Sequence, residues 1–350
     1  MNLPAMRADF VGSFLRPESV KKARLDFAKG IISADNLKAI EDQAIRELVA
    51  KQKELGFKVI TDGEFRRQAW HLDFMWGFDG VGHAPTKTGL PFHGEQAMID
   101  DTFLTGKISL GDHHPFIDHF KFVNSLAGDG MEAKLTIPAP AQFLAQMVMP
   151  FALDNTRKFY ADNEALILDL ASAYRKFIKM IYAAGCRRLQ FDDCTWGMLV
   201  DPMAVHMWGT DEAGLKAVQE MNLRINNMAI EDKPADMFIN THVCRGNYHS
   251  TYANSGAYDK VAEVLFENEN VNAYYLFLRV LPVGDKNTVS GGQKSKGAAL
   301  HCCRTHRVLT IEVWHQTSGC DGTNKLRDAL LVPAGIEMKA CHRKCVTLFC

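Results

Sequence analysis

The sequence predicts an α/β fold in which a parallel sheet winds into a (β/α)8 TIM-type barrel. Two observations carry this. Over residues 1–276, short apolar strand patterns alternate with amphipathic helix patterns at the spacing of β–α–β crossovers. The polar, chemistry-bearing residues fall just after the strands, where a barrel of this class builds its site. A doubly wound sheet would also place ligands there, but the chain has no Gly-x-Gly-x-x-Gly or Walker-type loop.

Each element follows from its local pattern. Asp9–Ser13 reads as a strand running into a loop closed by Arg16-Pro17. Ser33 can cap a helix carrying Leu37, Ile40, Ala44 and Leu48 on one face, and Gly56 ends it. Phe57–Thr61 is a strand leading into Asp62-Gly63-Glu64-Phe65-Arg66-Arg67. A loop-rich segment with Trp70, His71 and Trp76 follows, and Lys107–Leu110 and Lys134–Pro138 are further strands. A long helix from about Asp154 sets Leu166, Leu170, Ala173, Phe177 and Ile181 on one stripe and ends at Gly185. Arg188–Phe191 is a strand ending in Asp192-Asp193, and Leu215, Val218, Met221, Ile225 and Met228 mark the next helix. Met237–Ile239 is a short buried strand, Tyr258–Phe266 a helix and Val271–Leu276 a strand.

Composition narrows the function classes. The 350 residues carry a net charge of −1, which gives no reason to expect nucleic acid or an acidic membrane as partner. No apolar run reaches membrane-spanning length and the first residues do not form a signal peptide, so the expected location is the cytoplasm.

The candidate site residues lie at strand ends. His242 and Cys244 are two apart in an extended segment, so they face a common point. Imidazole and thiolate are zinc-type donors; taken alone, the pattern more often marks a buried Cys and a hydrogen-bonded His. Glu64 and Asp192 offer carboxylates for a substrate ammonium group, or equally for helix caps and arginine pairs. Ser13, after Gly12, offers a hydroxyl and backbone amides suited to a carboxylate, or a plain turn. Trp70, Phe74 and Trp196 read as core edge, and Cys186 and Cys194 as small buried groups.

Together these stretches resemble the cobalamin-independent methionine synthases, in particular their short single-barrel relatives. The carriers are Arg7–Pro17 (RADFVGSFLRP), Val59–Arg67 (VITDGEFRR), Leu189–Asp193 (LQFDD), Ile239–Asn247 (INTHVCRGN) and Asn272–Leu276 (NAYYL). The resemblance spans residues 6–276. It implies a (β/α)8 barrel and a zinc-dependent transfer of a methyl group from 5-methyltetrahydrofolate, or its polyglutamate form, to the thiol of homocysteine. It also implies His242 and Cys244 as zinc ligands and Ser13, Glu64 and Asp192 as the set that holds the amino-acid part of homocysteine. The short relatives leave the donor open between a folate and a corrinoid protein. Addition of coenzyme M to an epoxide on the same barrel, or an inactive truncated homologue, are the alternatives.

The resemblance stops at residue 276, which divides the chain into a catalytic barrel, 1–276, and an aberrant tail, 277–350. The family's third zinc ligand is a Glu where this chain has Phe277, and its fourth is a Cys in a late loop that the tail lacks. Six of the nine cysteines lie in the tail, and its charge balance is +6 against −7 for the rest. A frameshift near codon 276 accounts for this break. Read one nucleotide later, Val332-Pro333-Ala334 can encode Ser-Pro-Gln, as in the family loop, although Met338-Lys339 would then give a stop codon, so more than one insertion or deletion is needed. A Cys/His metal module around His301–His306 and Cys341–Cys345 is the rival reading. The barrel is therefore expected to be incomplete at its C-terminal strand and helix.

Overall fold

The computed structural model describes residues 9–92, 95–246, 248, 252–278, 308–313 and 346–349. Helices α1 (Glu18–Ala28) and α2 (Ala34–Glu54) precede strand β1 (Val59–Ile60). The Ser33 hydroxyl accepts the Asn36 amide at the start of α2, and Ala44, Ile45 and Val49 form its buried face. Helix α3 (Leu72–Met75) and strands β2 (Asp79–Ala84), β3 (Leu90–Phe92), β4 (Glu95–Ala97) and β5 (Asp101–Ser109) form an insertion. Then come α4 (Pro115–Leu126), β6 (Glu132–Pro138), α5 (Pro140–Val148), α6 (Pro150–Thr156), α7 (Asn163–Ala183) and β7 (Arg188–Asp192). The chain continues through α8 (Thr195–Leu199), α9 (Ala204–Trp208), α10 (Glu212–Ile230), β8 (Phe238–Val243), α11 (Ala262–Asn268), β9 (Ala273–Leu278), β10 (Val308–Val313) and β11 (Val346–Phe349).

Seven strands form one sheet in the order β1-β6-β7-β8-β9-β10-β11, parallel throughout. Among the described residues no pairing joins β11 to β1, so the sheet is an open, curled half-barrel. Strands β10 and β11 come from the 277–350 stretch and extend the sheet beyond β9. The remainder of that stretch, including the Cys/His clusters and the Val332–Ala334 segment, lies outside the described residues.

The strands are apolar on one face and polar on the other. Leu135, Ile137, Leu189, Phe191, Ile239 and Leu276 are buried in the core, and Phe191 meets Tyr174 of α7 edge to face at 6.2 Å. Fully burying each such side chain contributes about 1.5–3 kcal/mol. On the other face lie Lys134 and Thr136, Gln190 and Asp192, and Asn240 and His242; Thr136, Gln190 and Asn240 are in register across β6, β7 and β8, and Asp192 pairs with His242.

Three expectations are corrected. Asp9–Ser13 is not a strand. Its carbonyls bond to side chains: Lys134 Nζ donates to Phe10 O, and Gln190 Nε2 donates to Val11 O at 2.6 Å. The segment therefore crosses the polar face instead of joining the sheet edge. Lys107–Ser109 is a strand as expected, but it is the end of β5, which pairs antiparallel with β2 outside the main parallel sheet. The helix expected from Asp154 is two helices: α6 stops at Thr156, whose hydroxyl donates to Met147 O at 2.6 Å, and α7 restarts at Asp162, whose carboxylate accepts the Ala165 amide.

Candidate active site at the carboxyl ends of the strands

The loop after β1 holds Glu64 in a specific backbone state. Gly63 and Glu64 have φ of 62° and 60°, and Glu64 is the one non-glycine residue with positive φ among those described. A turn fixes them: Asp62 Oδ1 accepts the Glu64 amide at 2.8 Å, and Thr61 Oγ1 accepts the Gly63 amide at 3.3 Å. A side chain at 63 would meet Leu48 and Phe14 as well as a left-handed backbone, so glycine is required there. Such left-handed non-glycine residues persist where surroundings hold them, often at functional sites.

This turn aims the Glu64 carboxylate over the neighbouring strand. Thr136 Oγ1 of β6 donates to Glu64 Oε1 at 2.9 Å, and Arg67 Nη1 lies 3.5 Å from the same oxygen. Arg67 is itself buried, donating to Trp70 O at 3.2 Å and Thr136 O at 2.6 Å, with its guanidinium 4.7 Å from the Phe116 ring centroid. Burial pushes the Glu64 carboxyl above its usual range; Arg67 pulls it back, and the charge of Asp192 pushes it further up.

Asp192 ends β7 in register with His242 of β8. Its Oδ1 accepts from Gln190 Nε2 at 2.6 Å and lies 3.1 Å from His242 Nδ1. A carboxylate oxygen can only accept, so this contact assigns a proton to Nδ1. Cys244 follows two residues later on the same face, and Gly246 N–H donates to its sulfur at 3.2 Å.

Ser13 is exposed between two anchors. Val11 is tied to Gln190, the side chain that also holds Asp192, and the Phe14 amide donates to Gly63 O at 3.1 Å. Arg16 Nη2 clamps the same turn through Glu64 O and Arg67 O, at 3.0 and 2.8 Å. The segment thus bridges the Glu64 turn and the β7 end. Below it, buried Lys134 Nζ pairs with Asp9 at 2.8 Å and contacts Gln190 Oε1 at 3.0 Å, while Tyr275 OH donates to Asp9 at 2.7 Å.

The structure therefore assembles four of the five expected residues, Glu64, Asp192, His242 and Cys244, over β1, β6, β7 and β8, with Ser13 carried across them. Trp196 and Phe74 are fully buried core residues. Cys194 was read as a packed small residue. It is packed beside Cys244, and that neighbouring thiol, burial and the nearby aspartate charges push its thiol well above the usual range. The missed signal was the spacing: Cys194 follows Asp192 as Cys244 follows His242.

His242 and Cys244 supply one nitrogen and one sulfur, which suits zinc. Among the described residues, no group of three or more His, Cys, Asp or Glu is arranged to hold a metal ion. Phe277 pairs with Glu312 of β10, at the position where the resemblance calls for a ligand Glu. The described residues do not make a complete zinc site.

A curled parallel sheet with two carboxylates, an imidazole and a thiol at its strands' carboxyl ends defines a barrel-type α/β protein with a polar cluster at that end. A family model described as the catalytic domain of cobalamin-independent synthase matches residues 6–85. An uncharacterized protein of Bacillus subtilis, YxjH, is 40% identical over 273 residues, covering 77% of this chain and 70% of that protein. The structure of a putative vitamin-B12 independent methionine synthase from Listeria monocytogenes is similar with a TM-score of 0.67 and 33% identity, over 91% of this chain and 82% of that one. The 5-methyltetrahydropteroyltriglutamate–homocysteine methyltransferase of Caulobacter vibrioides is 25% identical over 259 residues, 74% of this chain and 31% of that protein. The chain belongs to the cobalamin-independent methionine synthase family, among its short single-domain relatives. No helix among the described residues is long and apolar enough to cross a membrane.

Proposed function

We propose that this chain binds homocysteine at the mouth formed by Ser13, Glu64 and Asp192. Its activity is that of a cytoplasmic homocysteine S-methyltransferase making methionine, with 5-methyltetrahydrofolate or its polyglutamate form as donor. The observation that carries the reading is the pair of buried carboxylates, Glu64 and Asp192, held two strands apart over β1, β6 and β7. Two fixed carboxylates suit an ammonium group, and the Gly12–Ser13 backbone with the Ser13 hydroxyl suits the substrate carboxylate. Such an anchor directs the thiol of a short amino acid along the face that bears His242 and Cys244.

Zinc is the cofactor of this reading, with His242 and Cys244 as its donors; when bound, it lowers the pKa of a coordinated thiol. The chain's own residues bind and orient the substrate, and Asp192 fixes the imidazole tautomer of His242. With two of the family's four ligands among the described residues, this polypeptide binds zinc poorly and has little or no methyltransferase activity. We further propose that 277–350 arises from a frameshift; an uninterrupted frame through codon 350 on independent gene reads would overturn that.

A thiol competition tests the substrate class. Homocysteine, but not coenzyme M, is expected to protect the chain from proteolysis and to be displaced by methionine. Equal protection by coenzyme M, which lacks the amino-acid group, contradicts the reading.

A further inference from the structure

The two halves of the proposed anchor meet at one side chain. Gln190 of β7 is fully buried, and its amide is completely bonded. Lys134 Nζ, which can only donate, contacts Oε1 at 3.0 Å, and this turns Nε2 the other way. Nε2 has two hydrogens and meets two acceptors: Val11 O of the segment that carries Ser13, and Asp192 Oδ1, each at 2.6 Å. Lys134 is held in turn by Asp9 at 2.8 Å and by Phe10 O, and Tyr275 OH donates to Asp9 at 2.7 Å. One chain of contacts therefore runs from β9 through β6 and β7 to the 9–13 segment and to Asp192. Among the described residues, the side-chain hydrogen bonds of Asp192 fall on Oδ1 and that of Glu64 on Oε1, which leaves the second oxygen of each carboxylate to a ligand.

We propose that Gln190 is the positioning residue that sets the carboxylate half of the anchor, Ser13 and its backbone, against the ammonium half at Asp192. The inference rests on the homocysteine reading above. An α-amino acid carries its ammonium and carboxylate groups on one carbon, so a site selects it by holding acceptors and donors at one spacing. Gln190 supplies that spacing, because a single planar amide bonds both halves and neither moves without the other. Lys134 keeps the amide from turning over: a flip would set the NH2 group against an ammonium and the carbonyl against two acceptors. With both hydrogens committed, Gln190 has no donor left for the substrate and acts through Val11 and Asp192.

The test is calorimetric titration of three thiols into the full chain: homocysteine, 4-mercaptobutanoate, which lacks the ammonium group, and 3-aminopropanethiol, which lacks the carboxylate. The variants are Gln190→Met, which fills the space without a donor, and Gln190→Glu, which keeps the Lys134 contact but turns an acceptor toward Val11 O and Asp192. Each is checked for folding by far-UV circular dichroism. Homocysteine uses both halves and each truncated thiol only one, so the preference for homocysteine over both is expected to fall about tenfold in the variants. Deuterium uptake across residues 9–16 should rise in the same variants, while uptake across 166–181 of α7 stays as in wild type. Weakening of the three ligands alike, with the preference intact, is what a purely structural role gives and would overturn the proposal. Unchanged uptake across 9–16 in a folded variant would also overturn it. A wild-type chain that binds none of the three thiols instead overturns the homocysteine reading, and this assignment with it.

Discussion

Replacing Arg67 with methionine probes the electrostatics of the site directly. The guanidinium is buried, holds Glu64 at 3.5 Å and satisfies the carbonyls of Trp70 and Thr136. Deleting one partner of a buried ion pair costs about 3–5 kcal/mol, because the remaining charge has lost both water and its counter-ion. Glu64 escapes part of this by taking up a proton, since burial and Asp192 already push its carboxyl upward. A protonated Glu64 no longer attracts an ammonium group. Loss of one charged contact, about 1.5–3 kcal/mol, weakens homocysteine binding roughly 10- to 100-fold. Urea unfolding of Arg67→Met should therefore show a loss of about 3–5 kcal/mol, and calorimetry a weaker Kd that improves as pH is raised and Glu64 ionises. A variant within about 0.5 kcal/mol of wild type, with unchanged Kd, would refute the reasoning.

Three further outcomes follow from the same contacts. Lys134→Met strands Asp9 in the interior and should cost about 3–5 kcal/mol in urea unfolding; a neutral result would mean that Asp9–Phe10 is not anchored by that lysine. Glu64 has a folded pKa above its ordinary value of 4.5, so its contribution to stability is present below that value and is lost as pH rises through the folded pKa. Glu64→Gln should flatten unfolding free energy against pH above about 4.5; an unchanged slope contradicts the assignment. Two donors hold zinc far less firmly than four, so chelator dialysis followed by metal analysis should leave well under one zinc per chain; one tightly held zinc would show that further ligands join His242 and Cys244.

Much of this was legible in sequence because local signals and tertiary demands agree. Lys134–Pro138, Arg188–Asp192 and Phe238–Val243 are short strands bounded by turn residues, and their last polar residues mark the site end. What was missed depended on partners remote in sequence. Asp9–Ser13 has a strand's composition, but Lys134 and Gln190, more than a hundred residues away, take its carbonyls. The 154–183 stretch keeps a helical stripe across a break that only the Thr156 and Asp162 hydrogen bonds reveal. Cys194 looks like an ordinary buried thiol until the register of β7 against β8 brings it to Cys244. Arg67 reads as one of two adjacent arginines, and only burial identifies it as the counter-charge of Glu64.

The central claim is that Glu64 and Asp192 form an amino-acid anchor for homocysteine. Isothermal titration of homocysteine into the full chain and into Asp192→Ala tests it most directly. The account predicts saturable binding to the wild-type chain, weakened roughly 10- to 100-fold by the substitution. Absence of binding to the folded wild type, or equal affinity for both proteins, would contradict it.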